Sequence, residues 1–208
     1  MRPLPVLLAT RNPGKVLELR RILTEPPALA DRLEVLGLDD VPAFAQAPET
    51  GASFAENALA KAQEAARATG LPALADDSGL SVDALNGMPG VLSARWVGRH
   101  GDDLANLELV LGQLADVPDG RRGAAFVCAA ALVTPDGAET VTMGEWQGEL
   151  IRTPRGSNGF GYDPIFVPAG ERRTSAELAP EEKDARSHRG RAFRALRPAL
   201  HALAVGAR

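Results

Sequence analysis

Apolar positions along the chain switch between the two periods of regular structure. Val6-Leu7-Leu8-Ala9 is a short unbroken apolar run suited to a buried strand. It meets the breaker cluster Arg11-Asn12-Pro13-Gly14, after which Val16, Leu19 and Leu23 recur on one helical face. Lys15, Glu18, Arg20 and Arg21 fall mostly off that face, and Pro26-Pro27 is expected to stop the helix. Residues 33–38 read as a second strand, and residues 41–50, which hold Pro42 and Pro48, as a loop. Ser53-Phe54-Ala55-Glu56 is a capping box: Ser53 can accept from the Glu56 amide while Glu56 reaches back. The alanine-rich run to Thr69 has high helix propensity, Gly70 suits its close, and Pro72 follows.

Ala73-Leu74-Ala75 opens a strand that runs into Asp76-Asp77-Ser78-Gly79, with residues 80–82 as its continuation. The segment NGMPG at 86–90 is a loop. Asp102 or Asp103 caps a further helix, with Leu104, Leu107, Leu111 and Leu114 at helical spacing. Residues 122–134 predict a long strand, Thr134-Pro135-Asp136-Gly137 a type I turn, and residues 139–146 the hairpin partner. Residues 152–163 form a glycine-rich loop, and the C-terminal third is basic and helical, with Phe193, Leu196 and Leu200 on one face. No internal repeat or low-complexity tract interrupts this order. The pattern is mixed α/β, with long central strands antiparallel or mixed rather than all parallel.

Composition works mainly by exclusion. The 208 residues are 45% hydrophobic and 24% charged, which is ordinary for a folded soluble protein and fits one domain or two small lobes. A net charge of −4 argues against a duplex nucleic-acid partner, whose phosphates call for a basic surface. A phosphate-bearing small molecule stays open, because a basic pocket can sit inside an acidic envelope. The single cysteine, Cys128, lies in the apolar run FVCAAALV and reads as a packed thiol, not as half of a disulfide or a nucleophile. The first apolar stretch is too short and too proline-rich for a signal or membrane segment, so a cytoplasmic protein with no membrane partner is expected.

Five polar segments could carry chemistry. Thr10-Arg11-Asn12-Pro13-Gly14-Lys15 lies between a strand and a helix, where backbone amides and the helix dipole favour an anion and Lys15 adds a full charge. Its spacing is not that of a Walker A loop, and an ordinary strand–helix turn is the alternative. Asp76 and Asp77 at a strand end cannot both be buried without a cation. If the strand continues they point to opposite faces, and one or two such carboxylates suffice for Mg²⁺; an Asx-rich turn is the alternative. Glu49 is either a second metal carboxylate or a solvated loop acid. In Gly159-Phe160-Gly161-Tyr162-Asp163, glycines around two aromatics would let a base lie against Phe160 or Tyr162, unless both rings belong to the core. Lys183 and Ser187 share a helix face. Lys183 could meet a phosphate, and His188 and Arg189 at the following break could donate to base carbonyls.

Taken in order, TRNPGK, SFAENALAKA, ADDSGL, the hairpin, GFGYDPIF and EEKDARSHRG resemble the Ham1/RdgB-type non-canonical purine nucleoside-triphosphate pyrophosphatases, the inosine triphosphatase family. The likeness runs from about Val6 to about Leu200, and its weight comes from five motifs in the right order. It implies a single inosine triphosphatase-like domain over 1–208, with a long mixed sheet flanked by helices and two lobes that hold the active-site cleft between them. It implies a homodimer that uses Mg²⁺ to hydrolyse ITP, dITP and XTP to the monophosphate and pyrophosphate, which keeps deaminated purines out of nucleic acid. Residue by residue, the resemblance makes Thr10, Arg11, Asn12, Pro13, Gly14 and Lys15 the triphosphate loop. Asp77 becomes proton acceptor and metal ligand, Glu49 the second metal acid, and Ser78 a substrate contact. Phe160, Gly161, Tyr162, Asp163, Lys183, His188 and Arg189 become the remaining nucleotide contacts. Arg11 stands where a small residue is common in such proteins, and Ser157-Asn158 where a Gly-Thr pair is often seen.

Two other readings compete. One is a pyrophosphatase of the Maf type, against which the DDSG and SHRG segments count. The other is a nucleotide sensor without turnover. Specificity has a physical basis if donors near His188 and Arg189 meet the C6 carbonyl of inosine or xanthosine. The amine of adenine would leave them unsatisfied, at roughly 1–3 kcal/mol. Guanine shares that carbonyl, so its rejection needs a further contact near C2. The stretch from Met88 to Trp96 is the expected dimer contact region.

Overall fold

The computed structural model describes residues 3–24, 29, 31–45 and 48–206. Its strands are β1 (Leu4–Leu8), β2 (Leu33–Leu36), β3 (Ala73–Val82), β4 (Gly123–Val133), β5 (Glu139–Leu150) and β6 (Phe166–Pro168). Its helices are α1 (Pro13–Thr24), α2 (Phe54–Thr69), α3 (Asp103–Gln113), α4 (Pro180–Arg186) and α5 (His188–Gly206). The strands form one mixed sheet in the order β2-β1-β3-β4-β5-β6. β1 runs parallel to β2 and β3, whereas β5 and β6 are antiparallel. This is the mixed α/β architecture that the sequence predicts. Pro26-Pro27, expected to end α1, lie outside the described residues.

The chain divides into two compact units. The first comprises Met1–Asp77, Cys128–Gly144 and Arg189–Arg208, and the second Ser78–Val127 and Glu145–His188. In the first unit both sheet faces are covered, which is why its strands read as continuous apolar runs instead of alternating ones. Val6, Leu8, Leu74, Cys128, Ala130 and Leu132 face Leu19, Ile22 and Leu23 of α1 and Phe193, Leu196 and Leu200 of α5. The intervening residues Leu7, Ala9, Ala73, Ala75, Ala129 and Ala131 face Ala58, Ala62, Ala65 and Ala66 of α2. Alanine on both sides lets this helix lie close to the sheet.

Local signals in the sequence explain where α2 begins and ends. Ser53 accepts from the Glu56 amide at 3.2 Å, and the Glu56 carboxylate reaches back to the Ala52 amide at 2.8 Å, one residue beyond the expected box. Gly70 closes the helix in the left-handed conformation at φ 69°, its amide donating to the Ala66 carbonyl.

The core of the second unit is built from Leu80, Val82, Phe126, Trp146, Phe166 and Leu178 with the buried face of α3. Asp102 caps α3 by accepting from the Ala105 amide at 3.1 Å. The buried stripe of α3 is Leu107 and Val110, with Leu114 just beyond; Leu104, expected on that stripe, is 65% exposed. Gly79 of β3 is sterically required, because a Cβ there would meet the Gly90 carbonyl and the Ser93 hydroxyl at 2.4 Å.

The alanine face makes a direct stability prediction. Ala62 is fully buried, and Ala62→Leu forces α2 off the sheet, which is expected to cost about 1–3 kcal/mol. Urea titration should show a lower midpoint at an unchanged slope; an unchanged midpoint would mean that this helix does not pack as described.

Candidate active site

The turn between β1 and α1 is organised by Asn12. Its carboxamide oxygen accepts from the Lys15 amide at 3.2 Å, and its carbonyl accepts from the Val16 amide at 3.0 Å. Asn12 is therefore the cap of α1 and Pro13 its first residue, where the missing N–H costs nothing. Thr10 accepts from the Asn12 amide at 3.3 Å. Arg11 is exposed and, with Thr10 and Pro13 of the same turn, lines a cavity of about 760 Å³ beside Arg20, Asp39 and Phe44. Lys15 is directed at the sheet, with its Nζ 3.0 Å from Asp76 Oδ2.

Asp76 and Asp77 do point to opposite faces of β3, and both are buried. Asp76 lies on the face of Leu74 and Cys128. Its Oδ2 accepts from Lys15 at 3.0 Å and from Nε and Nη2 of Arg189, each at 3.2 Å. The other side of the Arg189 guanidinium holds the buried carboxylate of Glu18 on α1. Lys15, Asp76, Arg189 and Glu18 thus alternate in sign along one buried chain. Burial alone would raise the Asp76 pKa, but Lys15, then Arg189 and Lys61, outweigh it and hold this carboxyl well below the usual carboxylate range. Burial likewise disfavours the Arg189 cation, and Asp76 and Glu18 more than offset it. Cys128, fully buried at 3.9 Å from Asp76, is the packed thiol expected; burial raises its pKa.

Asp77 faces α2. Its Oδ2 accepts from Asn57 Nδ2 at 3.1 Å, and its Oδ1 lies 3.0 Å from Lys61 Nζ. The same ammonium is 2.5 Å from Glu49 Oε1, so two carboxylates remote in sequence converge on one cation. Asn57 also fixes the Glu49 loop, because its side-chain oxygen accepts from the Gly51 amide at 2.8 Å. Burial pushes the Asp77 carboxyl above its ordinary value, despite the opposing pull of Lys61 and Lys15. Burial also works against the Lys61 ammonium, but Asp77 and Glu49 outweigh it and raise its pKa. The neighbouring aspartates are thereby pushed apart. Asp76 is held as an anion, while the Asp77 carboxyl is displaced toward protonation. Ser78 follows on the strand, half-buried.

The second unit holds a separate polar cluster. Asp163 Oδ2 lies 2.6 Å from Lys183 Nζ and accepts from the Phe160 amide at 2.8 Å, while Oδ1 accepts from the Ser175 hydroxyl at 2.7 Å. Lys183 Nζ sits 5.2 Å from the centroid of the half-buried Phe160 ring. Gly161 donates its amide to Asp103 at 2.9 Å.

Four of the expected nucleotide contacts lie buried in the structure. Tyr162 is not a stacking platform. It is 5% exposed in the core of the second unit, and its hydroxyl donates to the Ser93 carbonyl at 2.8 Å. Arg189, expected at a base carbonyl, is 1% exposed, with its guanidinium bonded to Asp76 and Glu18. His188 is 4% exposed and stacks on Phe126, with ring centroids 4.8 Å apart at 15°. Asp163 turns inward to Lys183 and Ser175. Residues that went unassigned are Glu18, Asn57, Lys61 and Ser175. Asn57 and Lys61 stand four apart on a capped helix, the spacing that places two side chains on one face.

The fold and these clusters define a mixed-sheet α/β protein with a lysine-bearing strand–helix turn, a carboxylate pair sharing one cation and a buried aspartate–lysine cluster. The chain belongs to the Ham1 family, whose model matches residues 6–199. It is 64% identical over 199 residues to a dITP/XTP pyrophosphatase of Nocardia farcinica, with 96% of each chain covered. A solved structure of a Mycobacterium abscessus nucleoside-triphosphatase, a dITP/XTP pyrophosphatase, matches at TM-score 0.74 and 62% identity over 93% of this chain and 98% of that one. A HAM1 protein from Coxiella burnetii matches at TM-score 0.82 and 42% identity over 95% and 98%.

The buried charge chain predicts a large stability effect. Arg189→Met strips Asp76 and Glu18 of their shared guanidinium, and removing one member of such a buried network costs about 3–5 kcal/mol. Calorimetry of the variant should show a much lower melting temperature; a loss below about 1 kcal/mol would mean that Arg189 is not bonded as described.

Proposed function

We propose that this chain hydrolyses non-canonical purine nucleoside triphosphates, ITP, dITP and XTP, to the monophosphate and pyrophosphate. The observation that carries this reading is the convergence of Glu49 and Asp77 on a single cation. On the preceding residue of the same strand, Asp76 anchors the lysine of the β1–α1 turn. The names of the relatives, dITP/XTP pyrophosphatases at 58–64% identity, support the substrate class.

Each group has a role that follows from its surroundings. Glu49 and Asp77 would hold Mg²⁺. They are oxygen donors of the kind a hard cation takes, and they already share one positive charge in Lys61. Bound there, Mg²⁺ would supply charge neutralisation and Lewis-acid polarisation of phosphate oxygens. Asp77, with its raised proton affinity, accepts a proton from the attacking water. Asn57 and Lys61 keep its carboxylate aimed. Lys15 and the amides at the start of α1 stabilise triphosphate charge, with Lys15 preset by Asp76. In the second unit Lys183 supplies a further cation and Phe160 a ring face for the nucleotide.

The protein is further proposed to act as a cytoplasmic homodimer, with the 88–96 segment in the contact. The net charge of −4 fits a protein with no nucleic-acid partner. Among the described residues no helix is long and apolar enough to cross a membrane.

Pyrophosphate release from ITP, XTP, GTP and ATP at equal Mg²⁺ tests the assignment. ITP and XTP are expected to turn over well above ATP, and a chelator to abolish release. Equal rates for ITP and ATP would refute the substrate class, and binding of ITP without release would make the protein a sensor.

Asp77→Asn is expected to lower kcat at least ~10²-fold with the fold intact. The sign of the pH effect follows from burial. Asp77 must be ionised to accept a proton, and its folded pKa lies above the ordinary aspartate value of about 3.9. Activity is therefore expected to be lost as pH drops through the titration of this carboxyl on the acid limb of kcat/KM. Near-wild-type turnover in Asp77→Asn would remove the residue from the chemistry.

A further inference from the structure

The cavity beside the β1–α1 turn is built from the segments that follow β1 and β2, within the first unit. These strands run parallel, so both segments leave from carboxyl ends, where open α/β sheets bind ligands. Asp76 and Asp77 stand on β3, which pairs with the other edge of β1. Among the described residues, none of Lys15, Glu49, Lys61, Asp76 and Asp77 lines this cavity.

Its walls combine three kinds of chemistry. Arg11 and Arg20 are exposed, and among the described residues neither guanidinium is paired with a carboxylate, although Asp39 lines the same space. Asp40 is engaged by its own turn, where its Oδ2 accepts from the Gly37 amide at 2.8 Å. Leu17, at 62% exposure, lines the cavity with Leu38 and Phe44 and gives it an apolar surface. Phe44 is half-buried and packs against the alanine core of α2, which steadies its ring.

Each group answers one part of a mononucleotide. Two guanidiniums match a single phosphate dianion, which they can grip through paired N–H donors. The ring of Phe44 with its flanking leucines suits a planar base. Asp39 can accept from ribose hydroxyls, and with Asp40 it repels a longer polyanion. The volume of about 760 Å³ lies within the roughly 300–1,000 Å³ usual for small-molecule sites. We propose that this cavity binds a nucleoside monophosphate, at a site separate from the carboxylates of β3. The claim concerns binding alone and does not depend on the hydrolase reading.

Isothermal titration of the full chain with AMP, chelator present, tests it. AMP is expected to bind with a Kd below about 1 mM. Inorganic phosphate and adenosine are each expected to bind at least about 10-fold more weakly, since each fills only part of the cavity. Arg20→Gln and Phe44→Leu are each expected to weaken AMP about 10-fold. Arg20 is exposed, so Arg20→Gln is expected to keep the wild-type melting temperature. Should Phe44→Leu not fold, Leu17→Ser, at an equally exposed wall, takes its place. Lys15→Met, altered at the catalytic turn, is expected to leave AMP affinity within about 2-fold. A loss in Lys15→Met equal to that in Arg20→Gln would place AMP at the catalytic turn and overturn the proposal. Phosphate binding as tightly as AMP would overturn it too, as would no AMP binding up to about 10 mM.

Discussion

Two adjacent aspartates in the middle of a buried strand set the terms for the first unit. A strand that continues through Asp76 and Asp77 sends one carboxylate into each face of the sheet, and each face is otherwise apolar. Neither charge is tolerable there without its own cation. Asp76 is answered by Lys15 and Arg189, and Asp77 by Lys61. These three cations come from α1, α5 and α2, so the helices are tied to the sheet by charge as well as by packing. The same requirement places Lys15 at the start of α1 and Lys61 beside the Glu49 loop.

The environments on the two faces then diverge, and the chemistry follows from the difference. Asp76 has two full cations within hydrogen-bond distance, and a third contributes through space. Asp77 has one ammonium and one carboxamide, and that ammonium is shared with Glu49. Desolvation therefore loses to attraction on one face and wins on the other. One residue of separation along a strand yields a permanent anion that holds structure and a carboxyl with raised proton affinity.

Much of this was legible in the sequence, and the part that was not has a physical reason. The capped helix ending at Gly70, the hairpin around Pro135-Asp136 and the opposed faces of Asp76 and Asp77 all rest on interactions within a few residues, which local pattern reports directly. The fate of Arg189 rests on Asp76, 113 positions away, and on Glu18, 171 positions away. No local pattern distinguishes a guanidinium that reaches out from one that is drawn into the core. Tyr162 and Phe160 illustrate the same limit. They stand two apart among glycines, yet one ring joins the core and the other remains half-buried. Lys61 was within reach: with Asn57 it forms an i, i+4 polar pair on a helix whose other inward positions are alanine.

The choice between arginine and lysine at the buried cations separates the structural role from the chemical one. A guanidinium is a rigid fork that serves two carboxylates at once, and Arg189 does this between Asp76 and Glu18 at 1% exposure. An ammonium is a compact charge on a flexible stem, which can swing from one acceptor to another without rebuilding its surroundings. The three cations assigned to the nucleotide and its phosphates, or to the carboxylates that serve them, are all lysines: Lys15, Lys61 and Lys183. Each rests on a carboxylate, Asp76, Asp77 or Asp163, which compensates its charge and sets its position. The partner carboxylate offsets part of the cost of taking each ammonium out of water. Arg189 thus bridges Asp76 and Glu18 and Lys61 bridges Asp77 and Glu49, while Lys15 and Lys183 rest on Asp76 and Asp163.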